Sequence, residues 1–170
     1  WMVITGAWAE LSKESKMIKV LYVGDAAGVL GPNFIASPFN VENKGFSMHI
    51  WCQPVLDALN SDPDIEAKHL TNWDAYRDFP KTPDDFAEYD VVFLSDVESE
   101  VLLLYPEWTQ APMGPNRLKS LRDYVHNGGS FGMIGGWSSF SCRFGTAAYQ
   151  GTPVEESLPL NCIPAFRRIA

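Results

Sequence analysis

A chain of 170 residues, 46% hydrophobic and 20% charged, has the size of one domain and enough apolar material for a core, which excludes intrinsic disorder. Its 13 Lys plus Arg against 21 Asp plus Glu give a net charge of −8, a balance that repels phosphate backbones and anionic lipid. No nucleic-acid partner and no membrane partner is therefore expected.

Cys52, Cys142 and Cys162 form no C-x-x-C pair and are odd in number. Neither a disulfide framework nor a zinc site is signalled, and a cytoplasmic location is expected. The longest apolar runs, such as Val101 to Tyr105, are far shorter than a membrane span. Trp1 to Ala9 lacks the basic region of a signal peptide.

In chain order, the first strand is Ile18 to Gly24, directly after Met17. Residues 1–16 accordingly read as an N-terminal extension outside the core, and 17–170 as a single domain. Asp25 to Gly45 is rich in Gly, Pro and Asn and reads as one long functional loop. Trp51, Val55 and Leu59, with Cys52 and Leu56 beside them, make a helical stripe over His49 to Leu59, kinked at Pro54 or starting close to it.

Ile65 to Leu70 reads as a short strand, and Tyr89 to Asp96 as the clearest buried strand, apolar until polar residues close it. Pro115 opens a helix with Leu118, Leu121 and Val125 on one face, and Gly128-Gly129 closes it. Ser130 to Ile134 is a strand that runs into the turn Gly135-Gly136-Trp137-Ser138-Ser139. Thr152-Pro153-Val154-Glu155 has the form of a capping box opening a helix or helical turn. Strands alternating with helices imply an α/β fold with a mainly parallel sheet.

The glycine-bracketed turn is the most informative feature, because a strand entering such a turn lifts one side chain into a cleft. Trp137 at its tip is read as a pocket residue, with Gly135, Gly136, Ser138 and Ser139 around it; packing of the indole in the core is the competing reading. Asp96, Glu98 and Glu100 follow the strongest strand and Asp25 the first, so up to four carboxylates approach one sheet edge. They suit a hydroxyl-rich ligand, an acid/base pair with Asp96 and Glu98 as the catalytic candidates, or a divalent cation, or they are solvated loop carboxylates with Asp96 or Glu98 capping a helix. Arg143 is a candidate for a ligand carboxylate or phosphate, against a surface ion pair. His49 and His69 have no metal-spaced partner. Gly24-Asp25-Ala26-Ala27-Gly28 lacks the G-x-G-x-x-G of a dinucleotide site. No cofactor and no metal are signalled. Trp51, Trp73, Trp108 and Trp137 could stack on a sugar or pack in the core.

The segments Lys19 to Asp25, Tyr89 to Glu98, Gly114 to Leu118, Tyr124 to Gly129 and Met133 to Phe140 together resemble bacterial cytoplasmic class I glutamine-amidotransferase-like proteins, related in fold to trehalose-utilisation-type domains. The resemblance spans about Met17 to Leu160 and implies a flavodoxin-like three-layer sandwich. True class I amidotransferases carry a G-x-C-x-G elbow with a downstream H-x-E, and here Trp137 stands at the nucleophile position. All three histidines, His49, His69 and His126, precede it. An indole cannot attack a carbonyl, and Cys142, five residues beyond Trp137, lacks the elbow spacing and a base.

The expected function is that of a non-glutaminase member binding an unknown small, polyhydroxy-type molecule at the C-terminal sheet edge. The alternatives are a non-catalytic assembly module and a carboxylate-dependent hydrolase or isomerase. Such domains continue with further strands where this chain reads Asn161 to Ala170 and stops. The resemblance thus implies a C-terminally incomplete domain, whose uncovered edge favours a homo-oligomer.

Overall fold

The structure is a computed structural model that describes residues 16–30, 33–37, 40–43, 45–104, 114–141 and 145–163. Strand β1 (Ile18–Gly24) is followed by β2 (Ala26–Leu30), β3 (Asn33–Ser37), β4 (Asn40–Asn43) and β5 (Phe46–Ile50). Helix α1 (Gln53–Asn60), β6 (Ile65–Leu70), α2 (Asn72–Asp78), α3 (Pro83–Phe86) and β7 (Val91–Ser95) come next. Helices α4 (Ser99–Leu103) and α5 (Arg117–His126) precede β8 (Ser130–Ile134), and a 3-10 turn covers Glu155–Ser157.

Four strands form one sheet in the order β6-β1-β7-β8. Every pairing is parallel, Val23 opposite Leu70 and Leu94, and Leu94 opposite Met133. This is the flavodoxin-like order expected from the sequence. Parallel strands covered on both faces need apolar residues at successive positions, and Val20, Leu21, Tyr22 and Val23 of β1 are all buried. Leu21, Val23, Val92 and Leu94 point to one face, where Ala75, Phe79, Phe86, Leu102, Leu118 and Leu121 pack against them. Tyr22 and Phe93 point to the other, against Cys52 and Leu56. Among the described residues, no helix is long and apolar enough to cross a membrane.

Helix α5 lies where the sequence predicts it, but it starts at Arg117 and Pro115 stands before its cap. The Asn116 side chain caps it by accepting the Lys119 N–H at 3.1 Å, and the Gly128 and Gly129 amides close it onto the Val125 and Tyr124 carbonyls. Gly128 has φ +99°, the left-handed residue such a stop requires. Arg117, at the start of α5, is fully buried. Its guanidinium donates to the carbonyls of Ala75 at 3.0 Å and Tyr76 at 2.9 Å, fastening the C-terminal end of α2 to α5.

Three expectations are corrected. The stretch from Asp25 to Gly45 is not one loop: β2 pairs antiparallel with β5, and β3 with β4. The helical stripe over His49 to Leu59 starts close to Pro54, the second of its two readings: His49 and Ile50 end β5, and Pro54 occupies the first turn of α1, where its missing N–H costs nothing; its buried side is what differs. Cys52 and Leu56, not Trp51 and Val55, are its buried side. At Thr152 there is a helical turn but no capping box: the Thr152 hydroxyl donates to the Tyr149 carbonyl, and the Glu155 carboxylate takes the Gly151 and Cys162 amides.

Candidate functional site

The chain leaves β1 for β6 on one side and later enters β7 on the other, which opens a crevice between the C-terminal ends of β1 and β7. Those ends come unusually close. Gly24 sits opposite Ser95 with φ +100°, and a Cβ there would lie 1.9 Å from the Ser95 carbonyl oxygen. The next residue on each strand is an aspartate in the left-handed region, Asp25 at φ 56° and Asp96 at φ 46°. Aspartate tolerates that backbone better than most residues, and such turns concentrate at functional sites.

Asp96 is fixed from three directions. Its N–H donates to Ser139 Oγ at 3.1 Å, its Oδ1 accepts the Ser138 N–H at 2.8 Å, and its carbonyl accepts Asn72 Nδ2 at 2.7 Å. The same Asn72 amide accepts the Ala26 N–H at 3.0 Å, so one side chain splices the loops after β1 and β7. The elbow turn folds over Asp96 because Gly136 has no side chain: a Cβ there would lie 2.1 Å from Asp96 Oδ1. Ser138 Oγ donates to Glu98 Oε1 at 2.7 Å. Behind Asp25, His69 Nε2 lies 2.8 Å from the Gly24 carbonyl, to which it donates, and 3.4 Å from Cys52 Sγ.

Above these groups lies a cavity of about 890 Å³, within the range of small-molecule sites. Asp25, Asp96, Glu98 and Ser138 supply its polar lining, with Asn72 at its side. Trp51, Trp73, Tyr76 and Trp137 supply its rings, and Ala26, Ala27, Gly28 and Val101 complete the wall. Burial, and then the charge of Asp96, raises the Asp25 carboxyl above the usual carboxylate range. Burial and the Asp25 charge push the Cys52 thiol up to about 11, which favours the thiol over the thiolate. Among the described residues, no group of three His, Cys, Asp or Glu could hold a metal ion.

Of the residues singled out by sequence, Asp25, Asp96, Glu98, Trp137 and Ser138 line this one cavity. Trp137 is 69% exposed, at the tip of the turn rather than in the core. Gly136 supports Asp96, Gly135 stands off the lining, and Ser139 is buried with its hydroxyl bound to the Asp96 amide. Glu100 is exposed on α4 and does not join the other carboxylates. Arg143, Cys142 and Trp108 lie outside the described residues. Asn72 and Tyr76 escaped the sequence reading, although Thr71, whose side chain accepts the Asp74 N–H, is a readable start signal for α2.

Residues 41–170 match the family described as "Putative glutamine amidotransferase". Among solved structures, the chain is similar to the cytoplasmic protein STM3548 from Salmonella typhimurium, at 27% identity and a TM-score of 0.74 over 82% of this chain and 55% of that one. It is also similar to the cytoplasmic protein STM1381 from Salmonella typhimurium LT2, at 25% identity and a TM-score of 0.69 over 78% of this chain and 53% of that one. The chain thus spans about half the length of these two relatives, at 55% and 53%. Comparison with the curated proteins finds no match. With its sheet order, its elbow turn and a family match over residues 41–170, the chain belongs to the glutamine amidotransferase-like family.

Proposed function

We propose that this chain is a non-glutaminase member of its family that binds a small organic molecule in the cavity between β1 and β7. The observation that carries the reading is the joint lining of that cavity by strand-end carboxylates and aromatic rings, and the resemblance in sequence assigns Trp137 to the nucleophile position of a glutaminase. Rings stack on the apolar face of a ligand such as a sugar, while carboxylates accept its hydroxyl or amine hydrogens. A cytoplasmic setting, which the names of the two Salmonella proteins state for them, agrees with this reading.

The test is a thermal-shift screen of sugars, polyols and amino acids against the wild type and Trp137→Ala. A compound that stabilises the wild type and not the variant is expected. Equal stabilisation of both, or no stabilising compound, counts against the cavity.

A second reading follows from the Asp25 and Asp96 pair. Two carboxylates in unlike surroundings, one of them raised by burial and by its neighbour, form an acid/base pair for a hydrolase or isomerase. The pair is Asp25 with Asp96, whose charge helps to raise Asp25, while Asp96 and Glu98 each accept one hydrogen bond from Ser138. Turnover of a bound compound, abolished in Asp25→Asn with binding retained, is the expected result; binding without turnover overturns it.

A further inference from the structure

Three observations bear on the charge of the molecule this cavity accepts. Asp25, Asp96 and Glu98 line it together, and none of its described lining residues is Lys, Arg or His. An ionised carboxylate can only accept hydrogen bonds. Among the described residues, the donors that reach these three are the Ser138 N–H on Asp96, the Ser138 hydroxyl on Glu98, and the Tyr22 hydroxyl, which lies 3.4 Å from Asp25 Oδ2. The described residues therefore leave most of their acceptor capacity open, and no described side chain of the lining balances their charge, His69 behind Asp25 being a described group that acts against it.

The rings give the second observation. Trp51, Trp73, Tyr76 and Trp137 are all exposed large aromatics, yet they gather around one cavity rather than scattering singly over the surface. Their faces are electron-rich and attract a cation placed over them, whereas a neutral hydroxyl gains only apolar contact. The third observation is exclusion. A carboxylate or phosphate on the ligand would meet three like charges and find no cation among the described lining residues.

We infer that the ligand carries a positive charge: an amine or quaternary ammonium compound, its cationic head against Asp25 and Asp96 and its apolar part among Trp51, Trp73, Tyr76 and Trp137. This deepens the proposed function and rests on it. A protonated amine fits because it brings donors and no acceptor, and a quaternary ammonium head fits by its charge alone, beside the carboxylates and over the ring faces. It also relieves the mutual repulsion of the two strand-end carboxylates, which a neutral polyol leaves in place.

The experiment uses matched pairs on the purified chain, read by tryptophan fluorescence and by calorimetric titration: choline with 3,3-dimethylbutan-1-ol, glucosamine with glucose, and putrescine with 1,4-butanediol. At least one cation is expected to bind about tenfold more tightly than its neutral partner. The preference should fall to near unity in the Asp25→Asn, Asp96→Asn double variant, since asparagine keeps the left-handed turns and the Oδ1 acceptor for Ser138. Circular dichroism checks that this variant folds. Equal binding of cation and neutral partner overturns the charge assignment and leaves the cavity reading standing. Preferred binding of glutamate or a sugar phosphate, added as anionic controls, overturns the sign. A panel in which nothing binds overturns both.

Discussion

Strands β1 and β7 meet carboxylates at both ends, and the two ends treat them in opposite ways. Where β7 begins, the Asp90 carboxylate takes the Lys16 ammonium and, at 2.9 Å, the Lys19 N–H. The Lys16 hydrogen bond first, then that of the Lys19 amide, holds Asp90 below the usual carboxylate range. Where the same strands end, Asp25 stands beside Asp96 and is raised by burial and by that neighbour. One end stores its charge in a structural contact, and the other keeps its charge exposed to a cavity. The sheet thus pairs a carboxylate at one edge and leaves Asp25 beside Asp96 at the opposite edge, where the proposed site lies.

The largest effect expected breaks the closely apposed end itself. Gly24→Ala forces a Cβ against the Ser95 carbonyl in a backbone that L residues avoid, so it should cost about 3 kcal/mol or more, measured by urea unfolding. A loss below about 1 kcal/mol would show that β1 and β7 separate easily there.

The next pair of variants reads the contrast directly. The raised Asp25 contributes stability below the unfolded carboxylate value and loses it as pH rises through its folded value. Asp25→Asn should therefore stabilise the chain at neutral pH, with the gain vanishing in acid. The lowered Asp90 works in reverse, its contribution being present above the unfolded value and lost as pH falls through the folded one. Asp90→Asn should destabilise at neutral pH, by less in high salt because the Lys16 side chain is 82% exposed. Thermal melts from acid to neutral pH check both, and equal signs would erase the contrast.

Smaller still is the expected stability change in Trp137→Ala. A core tryptophan costs roughly 3–5 kcal/mol on truncation to alanine, but this exposed ring should cost under about 1 kcal/mol. Denaturant unfolding beside wild type measures it, and a core-sized loss would remove Trp137 from the cavity. The smallest effect is none: in this chain of 170 residues Trp137→Cys should release no ammonia from glutamine, since none of residues 138–170 is a histidine that could make the thiolate. Ammonia above the buffer rate would contradict this.

Strands β1, β6, β7 and β8 and helix α5 were legible because each carries its own signal, an apolar run or a stripe with caps. The β2–β5 pair carries none, since every residue of β5 is exposed and no alternation marks its register. Helices α2 and α3 are short, yet Thr71 and Thr82 cap them, the latter in a full capping box with Asp85. Reading Thr71 would have placed Asn72 and Tyr76 on a helix directly after β6. The strand-end residues Asp25, Asp96 and Trp137 were accessible because strand order alone carries them to one edge. Arg117 was not, because nothing in sequence distinguishes a buried arginine from a surface one.

Helix α2 is tied at both ends, by the Asn72 amide to the loops after β1 and β7 and by the Arg117 guanidinium to α5. The wall that carries Trp73 and Tyr76 is thereby preorganised, and a ligand docking on it need not immobilise that backbone. Association should then proceed with little ordering entropy on this side. The Ala26 amide, although it starts a peripheral strand, should exchange its hydrogen slowly for deuterium, because opening it requires unfastening Asn72 from Asp96 as well.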